Sequence, residues 1–364
     1  MRLLPFVFAL SILPTIAQSG VIETEYEASL KNFYGYTKYS SPYEKFNKEN
    51  NFNSSLNFYG RATYEHNSKY STSLIGYFMV DSAKEVENYN QGIWGEEVFA
   101  LTETPWGDVS VGQDSNVAYK LAVGAPEIGV FHTNNTELVN FINNPNWYKK
   151  GHKTAYKTLN STYINTDGAS AKINYVSPEW KGLKFGATYV PKTYSQSGLV
   201  VKNASYKDKE AYVLGTYGSW NIRDYEIETS LGFADFRDND KEYSLGTSVY
   251  HKGWTLGGSY RKTDSEKTKI NKVTLFDGYR QGRAYNIGIS YEFGPLKTGL
   301  TYFDSKADNS KNHDEIISIS NSYQYKKYTT FSFTVAHLLS KGADNQIQNN
   351  NKGYAFILGL ELKI

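Results

Sequence analysis

The chain has 364 residues, no cysteine, 39 Lys+Arg against 37 Asp+Glu, and a formal net charge of +2. That balance leaves no electrostatic footprint for a nucleic-acid partner, and the missing cysteine removes disulfides and thiolate metal sites. Mean hydropathy is -0.55, yet there are 32 Tyr and 19 Phe against 2 Met, which suits places where a ring has one greasy and one wet end better than a Leu/Ile/Met core.

From the N-terminus, Met1-Arg2 precedes an apolar run from Leu3 to Ile16 and small residues at Ala17 and Ser19. This is the layout of a secretory signal peptide, and Pro5 and Pro14 argue against a buried helix. The expected division is a signal peptide over 1–19 and an exported domain over 20–364. Beyond residue 20 no apolar run reaches the roughly 20 residues that a helical membrane span requires. An exported chain of this kind is secreted, periplasmic or a β-barrel.

Period-2 alternation then marks strands near 30–39, 54–66, 70–82, 92–104, 108–114, 169–177, 183–192, 209–219, 224–236, 241–252, 254–264, 283–293, 296–305, 314–326, 328–340 and 352–364. These are about sixteen, an even number, joined alternately by tight turns and long polar loops, as in a closed transmembrane antiparallel barrel. The last strand shows the pattern best. Tyr354, Phe356, Leu358, Leu360, Leu362 and Ile364 share one face; Gly353, Ala355, Ile357, Gly359, Glu361 and Lys363 share the other. A soluble sandwich would turn the large apolar face to a core, a barrel to lipid. Elsewhere the polar faces combine Gly, Ser and Thr with single charges, and the apolar faces carry Tyr, Phe or Trp near their ends. That combination favours lipid outside and water inside. "NFYG" at 32–35 recurs at 57–60 and reads as one strand design used twice, with Tyr34, Lys38, Tyr59 and Arg61 expected inward.

One connection is too long for a simple loop. Between Asp114 and Ala169 the chain holds Leu121, Val123, Ile128, Val130, Phe131, Leu138, Phe141 and Trp147. Structureless connections above about 15 residues are functional or disordered, and this composition is not that of a disordered segment. An apolar loop on a barrel rim needs burial, and the lumen is the nearest place. The expectation is a long third extracellular loop folded inward, its acids Asp114, Glu127 and Glu137 facing Lys38 and Arg61 across the narrowest water. A lid over the rim or a subunit contact is the alternative.

Within residues 96–126, Glu97, Phe99, Leu101, Trp106-Gly107, Val109, Val111, Gly112-Gln113-Asp114 and "VGAP" at 123–126 follow one another in order. This stretch resembles the fourth strand, periplasmic turn, fifth strand and start of the constriction loop of the Gram-negative trimeric porins, alphaproteobacterial type. The resemblance implies a homotrimer in the outer membrane of a Gram-negative bacterium, with the third loop folded inward, passing ions and small hydrophilic solutes passively. Such porins typically end in Phe, and this chain ends in Ile364; their turn after the fourth strand is usually Gly-rich, and here it is "ETPWGD".

Other chemistry finds little support. The six histidines lack ligand spacing, so no metal or cofactor is expected. No serine or acid stands out as part of a nucleophilic constellation, so no catalytic residue is assigned. The competing readings are a substrate-selective channel of the same fold, which would show a line of aromatic or basic residues along the lumen and which inward Tyr34, Tyr36 and Tyr59 leave open, and a barrel enzyme or a plugged structural or adhesive barrel.

Overall fold

A computed structural model describes residues 22–40, 50–81, 92–129, 134, 158–168, 170–194, 206–207, 210–236, 240–265, 282–308, 312–341 and 350–363. Its strands in chain order are β1 (Ile22–Tyr39), β2 (Asn50–Asn67), β3 (Tyr70–Asp81), β4 (Gly92–Thr104), β5 (Gly107–Gln113), β6 (Ala171–Val176), β7 (Leu183–Val190), β8 (Thr193–Tyr194), β9 (Tyr206–Lys207), β10 (Ala211–Ile222), β11 (Tyr225–Phe236), β12 (Asp240–His251), β13 (Trp254–Ser265), β14 (Gly282–Phe293), β15 (Leu296–Lys306), β16 (His313–Tyr325), β17 (Thr329–Lys341) and β18 (Asn351–Lys363). The pieces β8 and β9 pair only with each other, and the remaining sixteen form a closed antiparallel barrel. Closure comes from β1 against β18, with Tyr34 opposite Leu358 and Ser29 opposite Lys363. A closed barrel leaves no sheet edge, so every wall strand satisfies its backbone on two neighbours.

Alternation sets the two faces. Leu231, Leu245, Leu256, Ile287, Ile319 and Leu358 are exposed, while their chain neighbours Ser230, Thr255, Asn286, Ser318 and Ile357 are buried. Large apolar side chains exposed on successive strands form the lipid-facing surface of a membrane barrel rather than the outside of a soluble one. Aromatic pairs stand near its two borders: Trp254 and Tyr291 have ring centroids 4.6 Å apart near the short-turn rim, and Tyr285 and Tyr302 lie 5.8 Å apart toward the other.

The short connections are tight hairpins, and their chemistry is local. Lys252 and Gly253 both take positive φ, 46° and 85°, the backbone twist that a two-residue hairpin turn demands. The same device recurs at Lys181 and Gly182, and positive φ also occurs at Arg223, Lys326 and Gly294.

The structure corrects the first strand. β1 begins at Ile22 rather than near residue 30, and up to Ala28 it pairs with β2 alone, β18 joining only at Ser29. Register then decides direction. Positions facing each other on β1 and β2 sum to an even number (Tyr34 opposite Phe52, Glu27 opposite Tyr59), so Tyr34 and Tyr59 cannot share a face. Tyr34 is exposed and aligned with Leu358, Tyr36 pairs with Phe356, and Lys38 with Tyr354. Tyr34, Tyr36 and Lys38 therefore belong to the outer face, and Phe33, Gly35, Thr37 and Tyr39 to the inner one. The two "NFYG" copies point in opposite directions. The expected signal peptide lies outside the described residues, as does Glu137.

Replacing Leu358 by Arg puts a charge on the lipid side at mid-strand and is expected to destabilise the folded barrel by about 2–4 kcal/mol, whereas Leu358→Phe should stay within about 0.5 kcal/mol. Denaturant titration of the protein folded into phospholipid vesicles measures both, and equal effects would reverse the assignment of faces.

Candidate functional site

The segment that leaves β5 is tied down from its first residues. Asp114 is buried; its Oδ2 accepts from Ser110 Oγ at 2.5 Å and Asn174 Nδ2 at 2.9 Å, and pairs with Lys120. Asn116 caps the short helix α1 (Val117–Lys120), its Oδ1 accepting from the Tyr119 amide at 2.9 Å. The same side chain donates to Ile164 O at 2.9 Å and Asp167 Oδ1 at 2.5 Å, joining this segment to the returning one.

From Val117 to Gly129 the chain lies against a row of glycines on the inner face of successive strands: Gly186 of β7, Gly215 of β10, Gly232 of β11, Gly246 of β12, Gly257 of β13, Gly288 of β14 and Gly299 of β15. A Cβ at Gly246 would fall 1.7 Å from Val123 O, at Gly257 2.4 Å from Gly124 O, and at Gly299 2.4 Å from Ile128 Cδ1. Only a wall without side chains at these points admits the segment so closely. Hydroxyls between them make the polar contacts: Val117 N donates to Thr188 Oγ1 at 3.0 Å, Val123 N to Ser230 Oγ at 2.9 Å, and Ser248 Oγ to Gly124 O at 2.6 Å.

Residues 158–168 form the second half. Leu159 is buried in an apolar cluster with Phe33, Phe303, Ile316, Leu338 and Ile357, and Ile164 in another with Ala118, Val190, Val213 and Phe236. Between them Arg261 of β13, 1% exposed, donates to Tyr163 O at 2.6 Å, Asn165 Oδ1 at 2.7 Å and Thr166 Oγ1 at 2.7 Å. Its charge is met by Glu242 of β12 at 2.7 Å. Lys172 of β6 pairs with Asp167 at 2.6 Å, both buried. Asn134 bridges the two halves: its side chain bonds Ala125 N and O, each at 2.9 Å, and Glu127 Oε1 at 3.1 Å, while its carbonyl accepts from Thr162 N at 2.9 Å.

Facing this structure is a cavity of about 480 Å³. Tyr119, Glu127 and Tyr163 contribute from the segments, and Tyr217, Glu228, Tyr250 and Lys297 from the wall. Burial pushes the Tyr163 hydroxyl well above the usual phenol range, and the charge of Glu127 adds to it. Tyr163 is thus a neutral donor in working conditions, and the carboxylates at the cavity are Glu127 and Glu228. Such a lining attracts cations and offers hydroxyls to replace lost water.

Among the sequence-derived site residues, the structure brings Glu127 to this cavity. Asp114 lies beneath the segment and is neutralised by Lys120, so it fixes the segment rather than facing open water. Arg61 and Tyr59 are on the inner face, but Arg61 is held by Glu103 at 2.7 Å and Ser73 at 3.0 Å. Lys38 and Tyr34 are on the outer face. Glu137 is outside the described residues. Arg261, Asn116 and Asn134 were not legible as anchors, because each acts on a residue distant in sequence; alternation marks Arg261 as inward and nothing more.

A family profile described as Gram-negative porin matches residues 9–343. An uncharacterised protein of Rickettsia conorii is 20% identical over 364 residues, covering 77% of this chain and 77% of its own length. One from Rickettsia prowazekii is 21% identical over 361 residues, covering 77% and 78%. Among solved structures, Salmonella typhi OmpF in complex with daunomycin aligns with a TM-score of 0.63 at 10% identity, over 95% of this chain and 100% of that one. A triple mutant of the Rhodopseudomonas blastica porin aligns with a TM-score of 0.54 at 12% identity, over 94% and 100%.

Arg261→Gln leaves Glu242 buried without its cation and removes the donors that hold residues 163–166. The expected cost is about 3–5 kcal/mol, localised to the docking of this segment. Amide exchange at 158–168 should accelerate while the barrel strands stay protected; unchanged exchange would remove Arg261 as the anchor.

Proposed function

Because the chain belongs to the Gram-negative porin family, an outer-membrane channel family, we propose that it passes ions and small hydrophilic solutes passively through a lumen narrowed by residues 114–129 and 158–168. The observation that carries this reading is the cavity with Glu127 on the segment side and Glu228, Tyr217, Tyr250 and Lys297 on the wall side. A carboxylate on each side of a narrow water path raises the local cation concentration, and incomplete screening over a few ångström preserves the effect at moderate salt. Lys297 moderates the preference. In this reading the charge filter is not Lys38 and Arg61 against the loop acids; Glu127 keeps its place in it, and Glu228 joins it. No catalytic group takes part.

The assembly is read as a homotrimer, exported with residues 1–19 as a cleaved signal peptide and residues 20–364 as the mature barrel. Outer-face Tyr34, Tyr36 and Phe58 supply an apolar surface suited to lipid or to a neighbouring copy, and stable current steps in groups of three would support the trimer.

Planar-bilayer recordings in a salt gradient test the filter. Glu127→Gln and Glu228→Gln should each move the reversal potential toward anions, and Lys297→Gln toward cations. Single-channel conductance should change by less than about twofold in all three, because none changes side-chain volume much. A silent wild-type protein would sink the channel itself; unchanged reversal potentials in all three variants would sink the constriction assigned to this cavity.

A further inference from the structure

On the outer face of β15 and β16, Asp304 stands directly opposite Glu315, and Lys306 opposite His313. Two carboxylates facing each other across a ladder repel, and the pair needs a compensating positive charge. It sits one step beyond Tyr302, which is in contact with the ring of Tyr285, so it lies at the border of the apolar band near the rim opposite the tight turns. Water is scarce there and an uncompensated charge is costly.

The side chains converge. His313 Nε2 is 2.6 Å from Asp304 Oδ2, and the candidate ligand atoms of Asp304, His313 and Glu315 all lie within 4.8 Å of one another. Asp304 is 2% exposed, and its Oδ1 is buried without a hydrogen-bond partner. That oxygen is not explained by the surrounding bonds: the Tyr302 hydroxyl contacts Asp304 Oδ2 at 3.4 Å and Glu315 Oε2 at 3.3 Å, and the Lys306 ammonium stays 3.9 Å from Oδ2. A buried carboxylate with one oxygen orphaned, beside an imidazole and a second carboxylate, has the donor set of a metal site.

We propose that Asp304, His313 and Glu315 bind a divalent cation of the zinc class on the outer face of the barrel. The imidazole selects against calcium and magnesium, which prefer all-oxygen shells, and three protein ligands leave a further coordination position for water or an anionic headgroup oxygen. The ion would relieve the repulsion between Asp304 and Glu315 and supply a partner for Asp304 Oδ1. His313 ligates as neutral imidazole, releasing its proton if it was charged. Lys306, with a half-exposed side chain, is displaced toward solvent. Linear spacing could not show this site, since residues 304, 313 and 315 meet only through the β15–β16 register; the expectation of no metal rested on that spacing.

Titration calorimetry of the full chain, untagged and folded in detergent, with Zn²⁺ is the test. About one equivalent should bind, and His313→Gln should weaken it by on the order of 10–100-fold or more, with Asp304→Asn doing the same. Co²⁺ provides a visible-absorption signature that His313→Gln should abolish. Where Asp304→Asn fails to fold, His313→Gln decides, because its side chain is partly exposed. Absence of Zn²⁺ binding by the unaltered protein, equal affinity in His313→Gln, or preference for Ca²⁺ over Zn²⁺ overturns the proposal. None of these results depends on conductance, so the channel reading stands or falls separately.

Discussion

The closest constraint in this molecule is steric: a polypeptide backbone lies on the inner face of a β-wall with no room for a Cβ between them. Where Val123 O approaches Gly246 and Gly124 O approaches Gly257, the wall must be bare. Glycine weakens a strand, because it costs more chain entropy and packs nothing. The barrel tolerates the row because each of these strands is hydrogen-bonded on both sides in a closed cylinder. The polar groups of the segment then find hydroxyls at Thr188, Ser230 and Ser248, which alternate with the bare positions. Close approach and hydrogen-bond satisfaction come from one small-residue face, and Val123, Gly124 and Ser248 of this contact also line the cavity beside Glu127 and Glu228.

Charge is used in two ways. Arg261 with Glu242, Lys172 with Asp167, and Lys120 with Asp114 are compensated pairs, each adding side-chain or carbonyl bonds that fix a piece of the long connection. Paired charges of this kind are expensive to break and exert little field at a distance. Glu127, Glu228 and Lys297 instead line the cavity, where in the proposed reading they act on whatever passes. The inner face thus divides between structural and electrostatic charges, and residue type does not tell them apart.

Much of the barrel was legible in the sequence because a two-residue period is a local property. Alternation around Ile287 and Ile289, or Leu256 and Tyr260, states which face meets lipid without reference to any neighbour, and the turn at Lys252-Gly253 announces itself by its glycine. The first strand was harder. Glu23, Glu25 and Glu27 interrupt the apolar pattern, so its lower third reads as loop, although β2 pairs with it. Similarity between the "NFYG" copies misled about direction, since a face is set by register parity rather than by the motif. The site was the least legible part. Asn116 with Asp167, Asn134 with Thr162, and Arg261 with Tyr163 are long-range meetings decided by how a folded segment crosses the wall, and only the apolar content and length of that segment foretold that it needed somewhere to go.

The bonds that hold the segment differ in kind from those that close the wall. The amides and carbonyls of the wall strands are consumed in the closed ladder, so the described anchors of residues 114–129 and 158–168 reach the wall through side chains: Thr188, Ser230, Ser248, Arg261, Asp314. Releasing them breaks no ladder bond. The described parts of the connection are therefore expected to open sub-globally, at lower free energy than the wall, whose opening requires breaking the closed ladder. A melting curve that reports the wall alone would overlook this opening, and the temperature at which permeation changes need not be the temperature at which the barrel is lost.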